Sequence, residues 1–203
     1  MLEDGKKILK LFPLPIFHYK VKDCEKHNEN LSKYIYNLYK NDKNGLRRSN
    51  QGGWHSKPFD LKKKDEAPFL FFMDIQKYVA DVFREYGWFY TPGKVNLTEM
   101  WAIINKKNNF NIEHTHPNNY LSAAYYVKAP DNCGNFKATN PNILSRHIRA
   151  KTKQANELNS NSASIKINEG DLLIFPAYLP HSVEENKSNE DRVIVSFNID
   201  ILK

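Results

Sequence analysis

The sequence predicts a mainly β protein, an antiparallel sandwich or barrel that carries helices on one side. Apolar residues fall at helical spacing in two N-terminal segments, whereas the rest of the chain breaks into short β-rich runs separated by turn residues. No strand–helix–strand alternation of the kind that builds a parallel sheet is present. Leu11 to Val21 is apolar and β-leaning, and Pro13 and Pro15 push it towards a sheet edge, because proline cannot donate to a ladder. Asn28 to Tyr39 places Leu31, Ile35, Leu38 and Tyr39 on one helical stripe. A loop from Asn41 to Phe59 follows, holding Arg47, Arg48 and the run Gly52-Gly53-Trp54-His55. Asp65 to Tyr86 reads as a second helix, striped by Phe69, Phe72, Ile75, Val79 and Phe83 and stopped by Gly87.

Strands are expected over Lys94 to Asn105, Tyr120 to Lys128, Asn135 to Ala138, Ser164 to Ile167, Asp171 to Phe175 and Arg192 to Ile201. Gln154 to Ser164 is polar enough to be a loop. Two helices bury too little to stand alone, so they are expected on an outer sheet face. The division expected is a single domain over 1–203, with 1–93 as support and 94–203 as the barrel core.

Composition narrows the class. The 203 residues include 3 Trp, 11 Tyr and 12 Phe, enough to fill a sizeable core and to exclude a wholly disordered chain. No apolar run reaches the ~18–20 residues of a membrane span, and the start, acid before base, does not read as a secretory signal. Cys24 and Cys133 form neither a disulfide framework nor a CxxC pair, so a reducing, cytosolic compartment is expected. The net charge of +7 permits an acidic partner, although the Lys- and Asn-rich composition also describes a solvated surface. Lys137, Arg146, Arg149, Lys151 and Lys153 form a basic stretch without an acid, expected to rim a site and steer an anionic substrate. Nucleic acid is weakly supported as a partner, since no aromatic residues interleave there.

Among the histidines, His114-Thr115-His116 stands out. Residues two apart in an extended chain point the same way, so both imidazoles can reach one ion, and Pro117 keeps the segment out of a helix. His181 follows Gly170-Asp-Leu-Leu-Ile-Phe-Pro176, a turn leading into a buried strand, and a barrel can bring it to the pair. Three neutral imidazoles suit Fe(II), Zn(II) or Cu(II) and not Mg(II) or Ca(II).

His114-x-His116, the strand Ser122 to Val127, Gly170-Asp-Leu-Leu-Ile-Phe-Pro-x4-His181 and Arg192-x3-Ser196 together resemble the Fe(II)/2-oxoglutarate-dependent oxygenases. The similarity is greatest to small prolyl-hydroxylase-like members from bacteria and their phages, which also show a turn like Gly52 to His55. The resemblance implies a double-stranded β-helix, a jelly-roll or cupin-like barrel, in a bacterial or phage-infected cell. It implies Fe(II) on His114, His116 and His181, with His116 where most members have a carboxylate. It also implies 2-oxoglutarate held by Arg192 and Tyr126, with Ser122, Ser196 and Asn198 lining the cosubstrate pocket. Arg192 suits that task because a planar guanidinium grips a carboxylate with two parallel hydrogen bonds. The activity implied is hydroxylation of a small molecule or protein side chain, with release of succinate and CO2. The alternatives are a cupin-like three-His dioxygenase that does not use 2-oxoglutarate, in which Arg192 has no dianion to hold, and a non-catalytic metal-binding module. Oligomeric state stays open, a homodimer included.

Overall fold

The computed structural model describes residues 5, 7–89, 91, 95–142, 144, 147 and 150–201. The chain runs β1 (Phe17–Lys20), α1 (Cys24–Asn41), β2 (Asn50–Gln51), β3 (Trp54–His55), α2 (Ala67–Glu85), β4 (Val95–Asn105), β5 (Phe110–His114) and β6 (Leu121–Lys128). It continues through β7 (Phe136–Thr139), β8 (Ser162–Ile165), β9 (Asp171–Pro176), β10 (His181–Val183) and β11 (Arg192–Ile201). Two antiparallel sheets face each other: a six-stranded one in the order β1-β9-β6-β11-β4-β3, and a five-stranded one in the order β2-β5-β10-β7-β8. This is the double-stranded β-helix that the resemblance implied, with both sheets left open at their edges.

Strand alternation assigns the two faces of the large sheet to different tasks. Its outer face presents Met100, Ala102, Ile104, Val195 and Phe197, which join one buried cluster with Leu31 and Ile35 of α1 and Phe71, Ile75, Val79 and Phe83 of α2. Its inner face presents Trp101, Ile103, Ala124, Tyr126, Leu173, Phe175 and Ile194, which form a second cluster with Phe136 and Ala138 of the small sheet. The helices thus cover the outside and leave the space between the sheets for the site.

Both helices form where expected; α1 extends beyond the expected range by four residues at its start and two at its end, and α2 is shorter than expected by two at its start and one at its end. α2 starts with Pro68 in its first turn and stops at Gly87, whose φ of 67° is left-handed. Gly87 N–H donates to Arg84 O at 2.9 Å and Trp88 N–H to Phe83 O at 2.9 Å, which satisfies the last carbonyls. β1 lies at a sheet edge, as the prolines required, and begins only after them. The N-terminal support is woven into the barrel, since β1 and β3 extend the large sheet and β2 the small one. The strands β2, β3, β5 and β10 lie in segments whose polar residues or shortness hide any alternation, and pairing with neighbours defines them.

Candidate active site

The small sheet sets the histidines. β10 pairs with β5 so that His181 faces His114 directly, and His116 is anchored just beyond β5 by its N–H to Ala177 O, 2.8 Å. Nitrogens of His114, His116 and His181 all lie within 4.8 Å of one another, so binding at ~2.0–2.2 Å per ligand draws them together. The backbone fixes two tautomers. His114 Nδ1–H donates to Ile112 O (2.8 Å) and His181 Nδ1–H to Leu179 O (2.9 Å), so each Nε2 carries the lone pair that a cation needs; at His114 the Ser49 hydroxyl, 3.4 Å away, is the group a cation would displace.

Burial lowers the pKa of all three rings, to about 4 for His116 and about 3 for His181, where repulsion from neighbouring imidazoles adds to it. Neutral rings are the form that binds metal. His116 and His181 also belong to a column of stacked rings: Trp101 on His116 (5.8 Å), His116 on His181 (5.2 Å) and His181 on Phe136 (5.2 Å).

Register on the large sheet arranges its inner face in rows. Glu99, Asn198 and Ser122 lie side by side across β4, β11 and β6, followed by Trp101, Ser196 and Ala124, then Ile103, Ile194 and Tyr126. Arg192 comes last, opposite Asn105. Rows are separated by two residues, roughly 6.7 Å. Since Trp101 carries the stack onto His116, the triad stands near the second row, with Arg192 and Tyr126 to one side of it and Glu99, Asn198 and Ser122 to the other. A cavity of about 410 Å³ opens there, lined by the three histidines and by Trp101, Ser122, Ser196 and Asn198 among others. Neither Arg192 nor Tyr126 borders it; Ala124, Phe136, Phe175 and Ile194 do.

Arg192 is fully buried. Its Nη1 donates to Cys133 O and to Glu184 O (2.9 Å), while among the described residues Nε and Nη2 have no partner, and neither has the Tyr126 hydroxyl. The acids nearest in sequence are engaged elsewhere: Glu190 pairs with Lys128 at 2.6 Å, and Asp191 accepts from the Tyr36 hydroxyl at 2.9 Å. An ordinary surface ion pair at Arg192 is thereby ruled out. Burial pushes the Tyr126 phenol up, against the pull of the neighbouring guanidinium, and pushes Arg192 down. A cation and a hydroxyl held dry, with donors unspent, fit an anion that binds between the sheets.

Residues 99–198, the barrel, match the family described as "Putative 2OG-Fe(II) oxygenase". The chain belongs to the 2OG-Fe(II) oxygenases. Fe(II) and 2-oxoglutarate are that family's cofactors, and the oxygenase has a three-His site to receive the metal. In fold it is similar to a Pseudomonas putida prolyl-4-hydroxylase, with a TM-score of 0.62, 11% identity and 93% of each chain covered. HygX from Streptomyces hygroscopicus, solved with nickel and 2-oxoglutarate, gives 0.64 at 10% identity, over 92% of this chain and 82% of that one. The viral collagen prolyl hydroxylase of Paramecium Bursaria Chlorella virus-1, a 2OG complex, gives 0.59 at 14%, over 92% and 96%. Among curated proteins, none matches the oxygenase at a significant level by sequence.

Two expectations about the site need revision. The loop from Asn41 to Phe59 supplies one rim, with Leu46, Arg48, Ser49, His55 and Pro58 lining the cavity, whereas Lys137, Lys151 and Lys153 do not line it. Arg146 and Arg149 lie outside the described residues. His55, which by sequence merely follows a turn, is 7% exposed and stacks on Trp101 at 5.6 Å. Ser49 and Asn111 were missed as well. Asn105 Nδ2 donates to Asn111 Oδ1 (2.8 Å), Asn111 Nδ2 to Ser49 Oγ (3.1 Å), and Ser49 Oγ meets His114 Nε2 at 3.4 Å. Gly53 makes that chain feasible, because a Cβ there would sit 2.0 Å from Asn105 Oδ1. The turn was the available signal; lone Ser and Asn residues gave none. Among the described residues, no helix is long and apolar enough to cross a membrane.

Proposed function

We propose that the oxygenase hydroxylates an organic substrate, with 2-oxoglutarate as cosubstrate and release of succinate and CO2. The observation that carries this reading is the orphaned pair, Arg192 and Tyr126, buried on one side of three convergent neutral imidazoles. His114, His116 and His181 would hold the metal, which with 2-oxoglutarate supplies the oxidising chemistry of the family. Arg192 Nε and Nη2 and the Tyr126 hydroxyl would receive the cosubstrate's far carboxylate, and the cavity floor has to open towards them. Ser196, level with the triad, is placed beside the cosubstrate. Ser122 and Asn198 stand two rows from Tyr126, roughly 13 Å along the strand. A five-carbon diacid that reaches Arg192 is too short to touch them.

The unspent Nε and Nη2 donors of Arg192 favour this reading over a three-His dioxygenase without 2-oxoglutarate, in which those donors would stay idle. The substrate is placed in the cavity of about 410 Å³ beside the triad, where a small molecule or a protein side chain fits. Anaerobic titration of the Fe(II)-loaded protein with 2-oxoglutarate tests the proposal. A visible metal-to-ligand charge-transfer band that saturates with 2-oxoglutarate supports it. Iron binding without that band returns the site to the alternative.

A further inference from the structure

We infer that the row Glu99–Asn198–Ser122 is a substrate subsite for a primary ammonium group. This rests on the cosubstrate reading above, which assigns the opposite side of the triad to 2-oxoglutarate. Asn198 lies directly opposite Glu99 on β4 and Ser122 on β6, so its Cβ atom is ~4.5–5.5 Å from each of theirs on one face. All three side chains line the cavity.

The row is rich in acceptors: a carboxylate, a carboxamide oxygen and a hydroxyl oxygen share it. Ser122 and Asn198 are 1% and 5% exposed, and Ser122 Oγ and Asn198 Oδ1 have no hydrogen-bond partner among the described residues. Glu99 closes the row at the exposed end and, among the described residues, forms no ion pair. Buried polar atoms left unpaired mark a place where a ligand completes the bonding. An ammonium has three donors and no acceptor, which matches a carboxylate, a carboxamide oxygen and a hydroxyl. A carboxylate ligand would meet repulsion from Glu99, and an alcohol would leave that charge unused.

Arg48, on the loop ahead of β2, also lines the cavity, and its charge acts on His55. It disfavours a cation beside it, whereas Glu99 favours one in the row. The next row holds Trp101, stacked on His116, so a group seated here leaves carbons a few bonds from its nitrogen facing the triad.

The test uses the protein loaded with Zn(II) and 2-oxoglutarate, titrated calorimetrically with n-butylammonium, butyrate and 1-butanol, which differ mainly in the charge of one end. The ammonium should bind at least about tenfold more tightly than the other two, and added salt should shrink that margin. Glu99→Gln should reduce it to the level of the alcohol without changing the affinity for 2-oxoglutarate, and Glu99→Asp, which keeps the charge, should restore part of it. A preference for butyrate, no binding of any probe, or an undiminished ammonium preference in Glu99→Gln would each overturn the assignment. The titration of 2-oxoglutarate that precedes the probes reads the cosubstrate proposal separately. If it fails, the Zn(II)-only protein still reports whether the row selects an ammonium.

Discussion

Tyr125 and Tyr126 are neighbours on β6, both fully buried, and they point to opposite faces of the large sheet. The Tyr125 hydroxyl donates to Asn28 Oδ1 of α1 at 2.5 Å, and Asn28 Nδ2 donates in turn to Glu169 at 3.1 Å. The Tyr126 hydroxyl has no partner among the described residues. The same contrast runs along β11, where Val193, Val195 and Phe197 pack against the helix-covered side while Arg192, Ser196 and Asn198 face inwards. One face closes its own hydrogen bonds and apolar contacts, and the other keeps polar atoms open at a cost in stability. Substitutions on the two faces should therefore separate folding from binding.

The largest effect is expected on the outer face. Phe197 is fully buried against the helices, so Phe197→Ala should cost ~3–5 kcal/mol of folding stability. Denaturant unfolding measures this, and affinity for Zn(II) in the folded fraction should be unchanged. On the inner face Arg192→Ala should weaken 2-oxoglutarate binding by about 2–5 kcal/mol, because the dianion loses its charged partner. Lys at that position should recover only part, since it cannot make the fork. Normal 2-oxoglutarate binding by Arg192→Ala would remove the basis for reading this face as a cosubstrate site.

A smaller effect joins the two regions. Gly53→Ala drives a Cβ into Asn105 Oδ1 and so disturbs the Asn105–Asn111–Ser49 chain that ends on His114. A loss of ~1–3 kcal/mol in stability is expected, whereas Zn(II) affinity, read by competition with a chromogenic chelator, should not fall, because Ser49 contacts the same Nε2 that a metal would take. Markedly weaker Zn(II) binding would mean that the chain positions the His114 ring as well as packing the loop.

What the sequence revealed follows the same division. The helices and the long strands were legible because their burial is one-sided and periodic, as in the stripe through Ile75, Val79 and Phe83 or the alternation from Arg192 to Asn198. The triad was legible because His114 and His116 share parity and His181 ends a buried run. The rows were not. Glu99 and Asn198 are 99 residues apart, and their meeting depends on the pairing of β4 with β11, which local pattern does not encode. Grouping Ser122 and Asn198 with Tyr126 followed from shared face alone, whereas position along the strand separates them. β5 and β10 stayed hidden because polar or very short segments show no period, and the place of His55 depends on β3 pairing with β4.

The adjacent tyrosines give the smallest expected effects and differ in sign. Tyr125→Phe removes the donor to Asn28, which is 5% exposed, so one buried acceptor contact is lost. Stability should fall by ~1–3 kcal/mol, and 2-oxoglutarate affinity should stay the same. Tyr126→Phe deletes a hydroxyl that has no partner to lose, so the apo protein should be as stable as the wild type or slightly more so. Its cost should appear only with cosubstrate present, as ~1.5–3 kcal/mol of 2-oxoglutarate affinity, the range for a hydrogen bond to a charged group. Thermal unfolding of both variants, with and without Zn(II) and 2-oxoglutarate, reads the two quantities together. If Tyr126→Phe destabilised the apo protein as much as Tyr125→Phe, the Tyr126 hydroxyl would have a partner within the fold, and the inner face would be closed there like the outer one.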